Sequence, residues 1–124
     1  MKIENFTDIE AWKQARLFVE NIYHIFSEGN SQRDIGFKDQ IQRASVSIMS
    51  NIAEGFDSGS KKSFIQFLSY SYRSASEVES LLYVALDIHY IDVKQHNELM
   101  LKLNSIKRLI GGFIRYLKNS EHSN

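Results

Sequence analysis

Apolar side chains recur at alternating spacings of three and four residues in four segments of this chain, and that periodicity is typical of one face of an α-helix. The four predicted helices cover roughly residues 8–28, 32–56, 61–90 and 93–118. No segment of useful length alternates apolar and polar residues, so β-strands have no support. Proline, the commonest helix breaker, is absent, which favours long uninterrupted helices. The sequence therefore predicts an all-α protein.

Capping residues indicate where the predicted helices begin. Thr7 and Glu10 have the spacing of a capping box, in which the side chain of each residue bonds the other's backbone amide, so they are predicted to start the first helix. Ser60 is the predicted N-cap of the third helix, and Asp92 is the predicted N-cap of the fourth. Short polar loops therefore separate the helices.

Length and composition suit a single domain. A chain of 124 residues is close to the commonest domain size, and its 43% hydrophobic and 24% charged residues are typical of a folded globular protein. The chain shows no linker and no break in composition. We therefore predict one domain, residues 1–124, with the fold of an antiparallel up-down-up-down four-helix bundle.

The sequence indicates a protein that does not enter a membrane. It contains no apolar run long enough to span a bilayer, and its first residues lack the features of a signal peptide. Cysteine is absent, which excludes disulfides, thiolate metal sites and cysteine nucleophiles. A cytoplasmic location is the expectation.

The third predicted helix has more apolar circumference than one stripe provides. It could simply contact every other helix of its own chain, or a second copy of the chain could cover the extra face. We favour the second interpretation, because every helix of a four-helix bundle should keep a solvated side. The predicted subunit interface of a homo-oligomer consists of Ile65, Tyr72, Tyr83, Leu86 and Tyr90.

The search for catalytic chemistry is negative. No glycine-rich phosphate loop is present, and no glutamate is followed three residues later by histidine, as in the di-iron sites of bundles. The pairs Glu20–His24 and Asp92–His96 lie one turn apart, as many surface pairs do. His89 falls on the predicted core stripe and is interpreted as structural. We expect no catalytic residue, no metal and no cofactor.

Polar residues on the second predicted helix have two interpretations. Arg43, Asn51 and Glu54 lie on the face opposite the isoleucines. They could form a structural hydrogen-bond network, with Arg43 pairing a carboxylate of another helix, or they could form a ligand site. We favour the structural network.

The fourth predicted helix carries a basic stripe that could contact phosphates. Its cations are Lys107, Arg108, Arg115 and Lys118, on the side away from the apolar seam. The formal net charge is zero, with 15 basic and 15 acidic residues, but residues 99–118 hold five bases and no acid. Residues 77–98 hold five acids and a single base. A solvated helix face is one interpretation, and local binding of RNA or DNA is the other.

Residues Gln40–Ile48 and Ser50–Phe56 resemble the signature of a bacterial protein family. Its members are four-helix-bundle proteins encoded in intervening sequences of 23S rRNA genes, and their chromosomal relatives. The resemblance implies small bundles that form homo-oligomers, with a pentamer as the expected form. It also implies a relation to the accessory subunit of diversity-generating retroelements, a basic pentameric barrel that binds nucleic acid and a reverse transcriptase. For most members no activity is established.

Two positions depart from the family pattern. Met49 stands where the family often has proline, and Arg73 stands where it often has glycine. The neutral net charge also differs from that of the basic accessory proteins. The expected function is a non-enzymatic oligomeric scaffold that contacts RNA or DNA through repeated basic stripes. The alternatives are a protein-only adaptor for a partner such as a polymerase, and a metal-dependent or hydrolytic enzyme.

Overall fold

The computed structural model describes residues 2–120, and its regular structure over that range is entirely helical, as predicted. Short 3-10 helices at Phe6–Asp8 and Gly29–Arg33 precede the first and second α-helices. The α-helices are α1 Glu10–Ile25, α2 Ile35–Asp57, α3 Lys61–Asp87 and α4 Val93–Lys118. None of these helices combines the length and the apolar character that crossing a membrane requires.

Two of the predicted helix starts are confirmed by their hydrogen bonds. At α4 the backbone N–H of Gln95 donates to the Asp92 carboxylate over 2.8 Å, and the backbone N–H of Asp92 donates to the Gln95 side chain over 3.0 Å. At α3 the backbone N–H of Ser63 donates to the Ser60 hydroxyl over 3.1 Å. Each bond satisfies a backbone group that the helix itself leaves without a partner.

The prediction for the start of the first helix is wrong. Thr7 lies inside the first 3-10 helix, where its backbone N–H donates to the Asn5 side chain. A capping box is present, but Asn5 and Asp8 form it. Helix α1 begins at Glu10 after Ile9, which has no capping side chain and is buried instead. The sequence therefore predicted the right kind of cap but assigned it to the wrong pair of residues.

Helix α3 ends three residues before its predicted boundary. The backbone N–H of Tyr90 donates to the carbonyl of Ala85, and that of His89 donates to the carbonyl of Leu86, which is the Schellman arrangement of a helix end. His89 takes the left-handed position of this motif, with φ of 64°. Because the helix stops before His89, this residue is exposed, and its predicted place on the core stripe is wrong.

The four helices surround one apolar core. Helices α1 and α3 each pack against both α2 and α4. This packing order is the one that a four-helix bundle requires. The largest fully buried side chains come from all four helices and include Phe18, Ile22, Ile41, Ile48, Ile52, Leu68, Leu82, Leu99, Leu103 and Ile106.

The contact between α2 and α3 is unusually close. A Cβ placed on Gly55 would lie 2.8 Å from the Cβ of Phe67 and 2.9 Å from a ring carbon of Phe64. Further along the same pair, the Ser71 hydroxyl donates to the backbone carbonyl of Ile48 over 2.6 Å. Small residues at these points let the two helix backbones approach.

Replacement of Gly55 by alanine tests this contact. Helix propensity alone would favour alanine by about 1 kcal/mol. The added methyl group has no room beside Phe67, so we expect Gly55→Ala to lower the free energy of unfolding by about 1–3 kcal/mol. The matched control is Gly36→Ala in the first turn of α2, where the nearest neighbour of the new Cβ would be 3.9 Å away. Urea denaturation compares the variants, and a Gly55→Ala protein as stable as the parent would contradict the prediction.

Candidate nucleic-acid interface

An open groove with a volume of about 710 Å³ runs between α3 and α4. All four predicted nucleic-acid-binding residues, Lys107, Arg108, Arg115 and Lys118, line it from α4. Ser69, Tyr72 and Arg73 line it from α3. We call this surface the basic groove. Its lining contains five cations and no acid.

The helical repeat explains why three of the α4 cations share this groove. Residues three and seven apart lie on one side of an α-helix, and Arg108, Arg115 and Lys118 are separated by seven and three residues, while Lys107 lies at the edge of the same face, next to Arg108. The opposite side of the same turns carries Ile106 and Ile110, which are buried in the core. Burial of the isoleucines therefore turns the cations outward.

Lys107 differs from the other predicted cations because it is already paired. Its ammonium lies 2.8 Å from a carboxylate oxygen of Glu79 on α3, and its side chain is only 17% exposed. The same ammonium lies 5.1 Å from the centre of the Tyr72 ring, within the range of a cation–π interaction. Lys107 therefore joins α3 to α4, and its charge is compensated within the chain.

Arg73 is a groove residue that the sequence did not assign to the site. In the sequence it stands out only as a departure from the family pattern. Its guanidinium is exposed, lies 5.5 Å from the centre of the Tyr70 ring, and has no acidic partner within residues 2–120. Its position directly after Tyr72 is a sequence signal that could have identified it as a neighbour of that ring. Whether α4 faces this side of α3, however, depends on long-range packing that the sequence alone does not give. Within residues 2–120, the groove cations without an acidic partner are Arg73, Arg108, Arg115 and Lys118.

The charges of α3 and α4 are separated along the helix pair. The basic groove lies where Tyr72 is near Gly111, with a Cβ at Gly111 3.9 Å from the Tyr72 ring. Nearer the turn that joins the helices, the rings of Tyr83 and His96 are centred 4.8 Å apart. Three exposed acids of the 77–98 segment lie at that turn or within two helical turns of it, Asp87, Asp92 and Glu98, whereas Glu77 lies one turn after Arg73 on α3. A neutral chain thus has a basic end and an acidic end on one helix pair.

The predicted network on α2 is not a single network in the structure. Arg43 pairs with Asp39 one turn earlier over 2.9 Å, and both side chains are mostly exposed. Glu54 is exposed and makes no hydrogen bond or ion pair within residues 2–120. The exposed ion pair between Arg43 and Asp39 contributes little to stability. Neither Arg43 nor Glu54 contacts another helix through its charge.

Asn51, the third residue of that prediction, belongs to the contact between α2 and α3. Its side-chain amide donates to the backbone carbonyl and to the hydroxyl of Ser47, each over 2.9 Å. The Ser47 hydroxyl in turn lies 2.8 Å from the Ser74 hydroxyl of α3, and either can donate. The polar chain is therefore structural and joins two helices.

The predicted subunit interface is partly covered by its own chain. Tyr72 lines the basic groove against α4, and Tyr83 packs on His96 of α4. Leu86 packs against the core, and Ile65 is half-buried. Tyr72 and Tyr83 therefore contact α4 of their own chain while remaining exposed, and their part in a subunit interface stays a prediction.

Tyr90, the remaining residue of that set, joins α3 to α2. Its hydroxyl donates to the Asp34 carboxylate over 2.6 Å, and its ring packs edge-on against Phe37. Asp34 is the N-cap of α2 and also accepts from the backbone N–H of Phe37. The Tyr90 hydroxyl and the Phe37 amide both lower the pKa of Asp34, and the bond raises the pKa of Tyr90.

No cluster of three or more metal-ligating side chains occurs within the described range. Of the two pairs noted in the sequence, Asp92 uses its carboxylate to cap α4. His96 is buried, and its Nε2 has no hydrogen-bond partner in the described part of the chain.

The bond between Tyr90 and Asp34 predicts a dependence of stability on pH. Because the pKa of Asp34 is lowered on folding, its contribution is present above its ordinary value of 3.8 and is lost as the pH falls through the lowered value. We expect Tyr90→Phe to lower the melting temperature at pH 7, and we expect the difference from the parent to shrink below about pH 4. Tyr83→Phe is the control, because the Tyr83 hydroxyl makes no hydrogen bond within residues 2–120. A Tyr90→Phe difference that stays constant with pH would contradict the assignment.

Comparison with known proteins agrees with the fold. The model of the 23S rRNA-intervening sequence protein family matches residues 7–112. Among solved structures, a protein of unknown function from the S23 ribosomal protein family of Bacteroides thetaiotaomicron superposes with a TM-score of 0.79. It is 24% identical, over 85% of this chain and 95% of that chain, so the likeness shows the fold alone. No curated protein matches. The family match spans most of the chain, which therefore belongs to the 23S rRNA-intervening sequence protein family.

Proposed function

We propose that this protein is a non-enzymatic, self-associating helical scaffold that binds RNA or DNA through the basic groove. One observation carries the proposal. Arg73, Arg108, Arg115 and Lys118 converge from two helices on one groove, and none has an acidic partner within residues 2–120. A cytoplasmic location, in keeping with a chain that has no cysteine, is part of the proposal.

The chemistry of these cations favours a phosphate ligand. Three of the four are arginines, whose planar guanidinium groups can bond two phosphate oxygens at once. Phosphate contacts release counterions, so such binding weakens steeply as salt rises. Because the net charge of the chain is zero, the attraction has to be local to the groove.

We also infer the antiparallel up-down-up-down arrangement of the helices. Contacts between α2 and α3 pair Gly55 with Phe64 near their connection and Ser47 with Ser74 further from it. This progression is expected when consecutive helices run in opposite directions. The turn between α3 and α4 and the basic groove then lie toward opposite ends of the molecule.

Self-association has support from exposed apolar side chains near the turn between α3 and α4. Val84 and Ile88 lie one turn apart on α3 and its C-cap, and Val93 begins α4 with 64% of its surface exposed. A second copy would remove this surface from water. In a ring of copies, such as the pentamer that the resemblance implies, each subunit would contribute one basic groove. The electric fields of the cations in these grooves would then add.

Charge reversal in the groove tests nucleic-acid binding. We expect Arg108→Glu with Arg115→Glu to weaken binding of a fluorescent single-stranded RNA by about tenfold or more at about 50 mM salt. The slope of log K against log salt should be about −3 for four phosphate contacts of the parent and about −1.5 for the variant. The readout is fluorescence anisotropy.

Lys94→Glu with Lys102→Glu is the matched control for this experiment. Both lysines lie on α4, are exposed, and stand outside the groove, and the change in net charge is the same. Equal weakening by the two double variants would assign the effect to net charge and contradict a groove site. No binding by the parent at low salt would remove the proposal.

The mass in solution tests self-association. We expect light scattering to give a multiple of the 14.4 kDa chain for the parent. Val84→Glu with Ile88→Glu should lower the mass toward one chain, because charged groups resist burial in an apolar contact. Ser76→Glu with Ser80→Glu adds the same charge to exposed positions of α3 and should leave the mass unchanged. A parent protein with the mass of one chain would contradict the oligomer.

A protein-only adaptor is the second candidate. The observation in its favour is the apolar side chain of Leu101, which stands on α4 outside the basic groove with 72% of its surface exposed. Affinity capture from nuclease-treated lysate separates the two. The adaptor would be favoured if the parent captures one protein partner, the Leu101→Glu variant does not capture it, and the parent does not bind RNA.

A further inference from the structure

Tyr72 presents an aromatic ring inside the basic groove. The residue is 39% exposed and lines the groove from α3. The ammonium of Lys107 lies over the ring, and Glu79 holds that ammonium from the side. An exposed ring among cations is a platform on which a nucleic-acid base can stack, and such stacking tolerates any base.

Gly111 keeps the space beside this ring open. A Cβ at Gly111 would lie 3.6 Å from the Arg115 guanidinium and 3.9 Å from the Tyr72 ring, which are ordinary contact distances. Packing within the chain therefore does not require glycine here, in contrast to Gly55. Glycine in a helix interior also lowers stability by about 1 kcal/mol relative to alanine. With glycine at this position, no side chain from this turn of α4 covers the Tyr72 ring.

We propose that the groove binds single-stranded nucleic acid, with one base stacked on Tyr72 in the space left open by Gly111. This inference rests on the proposed function and specifies its ligand. Arg73 and Arg108 stand on the two helices that flank the ring and contact the phosphates on either side of the stacked base. Asn104, also in the groove, offers both a donor and an acceptor to the base edge.

A single strand fits this groove better than a duplex does. In a duplex the bases are stacked on one another and turn only their edges outward, so a ring at the floor of a groove meets phosphates alone. In a single strand an unstacked base can turn toward an aromatic side chain. The ring then adds affinity that the cations do not provide.

An abasic oligonucleotide separates the base from the phosphates. The probes are a fluorescent single strand of roughly 12 nucleotides, as RNA and as DNA, and the same backbone without bases. We expect the parent to bind the intact strand at least about fivefold more tightly than the abasic strand. Tyr72→Ala should abolish that preference while binding of the abasic strand stays the same, and Tyr72→Phe should retain it.

Gly111→Leu tests the open space without any change in charge. The leucine would occupy the volume beside Tyr72 and would also press on the Arg115 guanidinium, so we expect a larger loss of affinity for the intact strand than for the abasic strand. Gly112→Leu is the matched control: Gly112 does not line the groove, but its Cβ would lie 3.8 Å from the same Arg115 guanidinium, so this variant measures the part of the effect that passes through Arg115. Circular dichroism confirms that each variant is folded.

Each outcome bears on the proposal. Equal binding of intact and abasic strands by the parent would overturn the stacked base and leave phosphate binding in place. Binding of neither strand would remove the proposed function and this inference together. A Tyr72→Ala protein that loses affinity equally for the intact strand, the abasic strand and a duplex would also overturn the stacked base. Preference for RNA over DNA, with the preference for bases intact, would support the proposal and add a contact to the 2′-hydroxyl.

Discussion

Helices α2 and α3 approach so closely at Gly55 that any side chain there would meet the Cβ of Phe67 at 2.8 Å. The same closeness allows the Ser71 hydroxyl to reach a backbone carbonyl of α2 and the Ser47 and Ser74 hydroxyls to meet. These contacts fix the rotation of α3 about its axis. The rotation decides which of its residues face α4, and therefore which residues reach the groove. The fold depends on this one helix contact more than on any surface charge.

The groove itself needs both helices. Helix α4 contributes a row of cations, but α3 contributes the aromatic ring, a further guanidinium and the carboxylate that holds Lys107. The Lys107–Glu79 pair is only partly exposed, and one end of it rests on the Tyr72 ring. A residue that looks like a phosphate ligand in the sequence thus serves as a link between helices. The other cations of the groove have no acidic partner among residues 2–120.

Features that depend on nearby residues could be read from the sequence. The helical class, the Asp92 cap and the alignment of basic residues on α4 all follow from spacings of one or two turns. Features that depend on packing could not. Arg73 enters the site only because α3 lies beside α4, and Tyr90 bonds Asp34 across 56 residues of sequence. Even a local pattern fails where two caps compete, as Asn5 displaced Thr7 at the start of the chain.

The separation of charge along α3 and α4 has a consequence for how a partner arrives. A molecule with zero net charge is neither drawn toward a polyanion nor repelled by it at distances well beyond the Debye length, about 8–10 Å at physiological salt. Within that distance the field of the proposed nucleic-acid strand would exert a torque on the dipole of the protein, turning the cationic end toward the strand and the carboxylates away from it. Association would then be slow, because no long-range attraction draws the two molecules together. The encounter complex, once formed, would be well oriented. The chain would select among polyanionic partners by its orientation at short range. It would show little of the non-specific electrostatic binding that is typical of a uniformly basic surface.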